Sequence, residues 1–140
     1  MDPREILALF ALVGVPVRPA DAVAVAQAAR RDRVNPVLLV AQCAAHTRER
    51  RLLAALPGEG PPRDSRRLVC AYGQVNEAGD PVVPTLVAAT SGLYAGLRTC
   101  RTARGAINFA NTGGCENVPG DFLGARAARY FLQIVRHRGG

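Results

Sequence analysis

The sequence predicts a single, mainly α domain with at most a small β-hairpin, and three observations predict it. Hydrophobic residues make up 49% of the 140-residue chain. Most are Ala, Val and Leu, with no Trp, a composition that favours close-packed helices. Residues 35–47 read as a capped helix with an apolar body. Elsewhere apolar residues recur at helical spacing between proline- and glycine-rich breaks. A chain of this length is one ordinary domain, long enough to bury a core.

The elements follow in order. Asp2-Pro3-Arg4-Glu5 has a cap, a first-turn proline and a capping-box acid, so a short helix runs to about Val13 and stops at Gly14. Residues 15–19 form an extended connector, because each proline restricts its predecessor. A second helix spans about residues 20–31, with Val23, Ala24, Ala26 and Gln27 on its inner face. Asn35 caps the third helix and Pro36 takes its first position, where the missing N–H is no loss. Its next nine residues are apolar or small apart from Gln42, and it continues toward Leu56 before Pro57. Residues 57–65 are a loop. Residues 68–72 are the best strand candidate and pair weakly with 81–83, confined to an edge by Pro81 and Pro84. A fourth helix spans about 84–99, where Gly92 and Gly96, four apart, could let a neighbouring backbone approach, although isolated helical glycines also occur without purpose. Residues 100–120 read as a long loop rich in amides and glycine. Asp121 caps a last helix with the apolar stripe Phe122, Leu123, Ala127, Tyr130, Phe131 and Ile134.

The third helix delivers His46, Thr47, Arg48 and Glu49 at its far end, which suggests either a cleft or a helix emerging into solvent. Asn35-Pro36, Leu38-Leu39, Ala41 and Thr47 resemble the signature helix of the lysozyme-like superfamily, in particular soluble lytic transglycosylases and bacterial glucosaminidases. In that family such a helix ends in a catalytic Glu followed by Ser or Thr. The resemblance covers roughly residues 20–56 and implies a lysozyme-like fold engaging peptidoglycan, with possible cleavage of β-1,4 glycosidic bonds. The departure is at the acid itself: the position is His46.

Glycoside cleavage needs a carboxylic acid to protonate the leaving oxygen. Glu49, one turn beyond His46, is the glutamate nearest that position, so Glu49 and His46 are the candidate catalytic pair. Glu49 reads more simply as a surface ion-pair partner of Arg50 or of an arginine on the next turn. Imidazole titrates near neutrality, but its charged form would repel an oxocarbenium ion. A substituted acid therefore points as much to a lost activity as to a changed one. Candidate glycan-binding residues are Tyr72 and Phe109 for stacking, Glu77 beside the hairpin, and Asn108, Asn111 and Thr112 for hydrogen bonds to sugar groups. Each is also an ordinary turn or loop residue.

The net charge is +7, and every basic residue apart from two histidines is Arg. Such a charge attracts polyanions. The arginines are scattered, with no interleaved aromatics for base stacking, so nucleic acid is a weak third alternative. The second is a degenerate, structural or glycan-binding component of a virion, tail or spore. Four cysteines without a CxxC, and two histidines, make no zinc pattern, and no cofactor is implied. Cys100 and Cys115 bracket the Gly/Asn-rich segment, where a disulfide closing about 15 residues would contribute roughly 3 kcal/mol. Cys43, within the third helix, is expected to be a buried thiol. Residues 6–15 imitate a signal-peptide core, but Asp2 and Glu5 spoil the basic region before it. No stretch approaches the roughly 18 apolar residues of a membrane span.

Overall fold

The computed structural model describes residues 1–54 and 85–139, and within them the protein is mainly α. The helices are α1 (Pro3–Leu12), α2 (Pro19–Asp32), α3 (Pro36–Ala54), α4 (Thr85–Cys100), α5 (Ala103–Thr112) and α6 (Phe122–Gly139). The expected hairpin lies outside the described residues, as do Tyr72 and Glu77.

Local chemistry sets the boundaries. The Asp2 carboxylate accepts from the backbone N–H groups of Arg4 and Glu5 at 2.7 and 3.1 Å. Beyond α1 the chain turns at Gly14, with φ +78°. Asp21 reaches back to the Arg18 N–H at 3.1 Å and to its guanidinium at 3.0 Å, tying off the start of α2. Asn35 Oδ1 accepts from the Val37 N–H at 2.9 Å, satisfying one of the orphan donors at the head of α3. The same device opens α5 and α6. Thr102 Oγ1 accepts from Gly105 at 2.9 Å, and Asp121 Oδ1 from Gly124 at 3.0 Å.

α3 is the axis of the molecule. It touches each of the other five helices, lies lengthwise along α6, and is buried without interruption from residue 37 to residue 47. A helix apolar on all sides belongs inside a core. α1 packs on α2, and α4 on α5. The α4–α5 approach depends on Gly96: a Cβ there would stand 2.7 Å from Ala106 Cα and 2.8 Å from its carbonyl oxygen.

Four expectations are corrected. The segment expected as one long loop contains α5, closed by Gly113 at φ +85°, with only residues 113–121 left between it and α6. The inner face of α2 is Ala22, Val25, Ala26, Ala28 and Ala29, while Val23, Ala24 and Gln27 face out. Phe122 heads the expected α6 stripe but is 79% exposed, whereas Ala127, Tyr130 and Ile134 are buried. Finally, Cys43 is disulfide-bonded, and its partner lies outside the described residues. Cys100 and Cys115 are joined as expected, with Cα atoms 5.5 Å apart.

Candidate functional site

The polar group delivered by α3 is not at a helix end. α3 runs on to Ala54, so His46 sits within the helix and is only 8% exposed. Gln42 and His46 are four residues apart and therefore share one face. Opposite them α5 presents Asn111. Asn111 Nδ2 donates to the Ile107 carbonyl at 2.8 Å and to Gln42 Oε1 at 3.0 Å. Its Oδ1 then faces His46 Nε2 at 2.9 Å. Reversing the amide would set Oδ1 against two acceptors, so Nε2 carries the proton and donates to Asn111. Gln42 Nε2 stands 3.2 Å from the same ring nitrogen, and since both nitrogens are then donors this is a packing contact and not a hydrogen bond. A buried polar cluster thus joins α3 to α5, and burial makes each of its bonds costly to lose.

The next turn of α3 faces elsewhere. Glu49 Oε2 lies 3.6 Å from the guanidinium of Arg126 on α6. Arg48 donates to the Tyr130 hydroxyl at 3.3 Å. Thr47 donates to the Cys43 carbonyl at 2.7 Å, within its own helix. A general acid must present a proton toward a leaving oxygen. Glu49 instead lies beside the Arg126 guanidinium on α6.

The other candidates divide. Asn108 is buried, and its Nδ2 donates to the Cys115 carbonyl at 3.0 Å and to Asn117 Oδ1 at 2.8 Å. Arg104 Nε donates to Asn108 Oδ1 at 3.1 Å and to Asn117 Oδ1 at 3.0 Å. Together with the Cys100–Cys115 disulfide these bonds hold the segment after α5 against that helix. Thr112 is exposed and donates back to the Asn108 carbonyl at 2.8 Å. Phe109 is half-buried, and its Cβ lies 3.1 Å from where a side chain at Gly96 would begin. Of the sequence candidates, then, His46 and Asn111 meet directly. Asn108 serves the α5 loop, and Glu49 turns to α6.

Sequence reasoning missed Gln42 and Arg126. Gln42 had a signal: it is the one polar residue in the apolar run, four positions before His46. Arg126 had none, being 77 residues from Glu49 and one of many arginines.

Among the described residues no three His, Cys, Asp or Glu side chains group as metal ligands. A small cavity of about 220 Å³ lies away from His46, between Met1, Ala26, Ala29, Arg30, Arg33 and Pro36. Comparison with family models, with curated proteins and with solved structures finds no match to this chain.

Proposed function

We propose that this chain is a lysozyme-like domain that engages peptidoglycan or a related glycan without hydrolysing it, as a binding or structural component of a wall-directed assembly such as a virion, tail or spore layer. The observation that carries the reading is the donation of His46 Nε2 to Asn111 Oδ1, at the position where the resemblance puts the acid. A residue buried in a helix–helix contact supports packing. Glu49, the nearest alternative acid, is drawn to Arg126.

Two further features support an extracytoplasmic setting. Cys100–Cys115 and Cys43 are all disulfide-bonded, a state that persists in oxidising compartments. The charge of +7 suits the anionic surroundings of a cell wall. No helix among the described residues is long and apolar enough to cross a membrane.

The test combines retention on purified insoluble peptidoglycan with release of soluble fragments. The proposal expects the wild-type protein to sediment with peptidoglycan and to release nothing. Fragment release that Glu49→Gln abolishes would establish a hydrolase and overturn the non-catalytic reading. Failure to sediment would remove glycan engagement altogether.

A further inference from the structure

α6 has two faces, and only one is accounted for. Ala127, Ala128, Tyr130 and Ile134 are buried on the inner one. The outer face carries Phe122, Ala125, Arg129, Leu132 and Arg136, spaced three and four apart, with Val135 beside them. Phe122 is 79% exposed, Leu132 49% and Val135 44%. Val118, in the turn whose carbonyl accepts from the Asp121 N–H, adds another exposed apolar side chain at the same end.

The charges on this face are of one sign. Arg129 and Arg136 are exposed and make no ion pair with the described residues. Three carboxylates are engaged: Glu49 with Arg126, Glu5 with Arg138 at 3.7 Å, and Asp121 with the cap of α6, while Glu116 is exposed in the turn two residues before Val118. None lies on the outer stripe to repel an anion.

Apolar side chains interleaved with guanidinium groups fit one kind of partner better than another. A protein–protein interface also accepts aromatic and arginine side chains, but the partner must then bring a carboxylate matched to each guanidinium. At a bilayer interface the mixture is stable: rings and branched chains rest at the acyl boundary while arginine stems extend to the phosphates. Guanidinium also matches phosphate oxygens two at a time. From Phe122 to Arg136 the helix runs about 21 Å, enough to lie along a surface.

We propose that the outer face of α6 docks on an anionic bilayer, with Phe122 and Leu132 at the acyl boundary and Arg129 and Arg136 on lipid phosphates. The proposal is independent of the glycan reading. It is tested by cosedimentation of the full chain with phosphatidylcholine vesicles and with phosphatidylcholine–phosphatidylglycerol vesicles. Binding is expected to the second only, and to fall as salt is raised. Near an anionic surface each arginine changes binding by roughly fivefold, so Arg129→Gln with Arg136→Gln should weaken it by about 25-fold. Phe122→Ser, or equally Leu132→Ser, should weaken it several-fold while leaving the salt dependence in place. All four side chains are exposed, so the variants should melt with the wild type. Three results would overturn the proposal: no vesicle binding, equal binding to both vesicle types, or variants that bind phosphatidylglycerol vesicles as well as the wild type. Retention on purified wall polymer through the same residues, without vesicle binding, would assign the face to that polymer instead.

Discussion

α3 and α6 lie side by side, yet they treat their polar residues in opposite ways. On α3, Gln42 and His46 are buried against Asn111, and Glu49 leans on Arg126. On the outer side of α6, Arg129 and Arg136 stand in solvent beside Phe122 and Leu132. Chemistry-bearing side chains on the central helix thus close helix contacts, while the groups left available for a partner lie on the periphery. A residue type at a motif position is therefore poor evidence of reactivity until its neighbours are known.

The contrast breaks most readily in the core. Val40→Asp would place an unpaired charge at a fully buried site on α3. That costs several kcal/mol, comparable with the whole stability of a domain, about 5–15 kcal/mol. The expected outcome is loss of the cooperative unfolding transition in circular dichroism. Leu132→Asp, on the outer face of α6, should change stability by no more than about 0.5 kcal/mol. Equal effects at the two sites would mean that the inner and outer faces are misassigned.

A smaller effect is expected from the staple beside α5. Cys100→Ser with Cys115→Ser releases a loop of 15 residues, and should lower stability by roughly 3 kcal/mol in denaturant unfolding. Peptide mapping of the wild-type protein should recover Cys100 linked to Cys115 and no free thiol at Cys43.

Smaller still is an effect of acid. The Asp32 carboxylate is held down to about 2, first by its hydrogen bond from Arg31 and then by that from Thr90. Thr90 Oγ1 donates to it at 2.6 Å across the α2–α4 contact. Because the folded value lies below the ordinary carboxylate value of 3.8, Asp32 contributes stability that is fully present above that value. The contribution is lost as pH falls through the window from about 4 to about 2. Asp32→Asn should flatten this part of the stability–pH curve. An unchanged acid slope in the variant would show that the contact does not bind Asp32 preferentially in its charged form.

How much of this was legible in the sequence depended on whether the deciding contact was local. Asp2, Asn35 and Asp121 act on backbone groups two or three residues away, so the helix starts they cap could be read directly. The Gly92/Gly96 pair also read correctly as a point of close approach. α5 did not read as a helix because Gly105, Asn108 and Asn111 have modest or poor helix propensity. Their reasons are tertiary: a Cβ at Gly105 would lie 2.6 Å from Cys100 Cβ, and the two amides bond to partners brought by the fold. The inner face of α2 was placed about one residue out of phase, an error easily made in a helix rich in alanine on all sides. At the candidate site, His46 could be singled out as a polar arrival on a buried helix. Its partner could not, because Asn111 is 65 residues away and lay in a segment read as loop.

The central claim is that His46 is held by Asn111 as part of the packing between α3 and α5. A double-mutant cycle by denaturant unfolding tests it directly. His46→Ala and Asn111→Ala should each cost about 1–3 kcal/mol, since each leaves a buried polar partner unsatisfied. The double variant should cost clearly less than their sum, with a coupling within about 0.5–3 kcal/mol. Strict additivity, or a His46→Ala protein as stable as the wild type, would contradict the account and return His46 to the list of groups free to do chemistry.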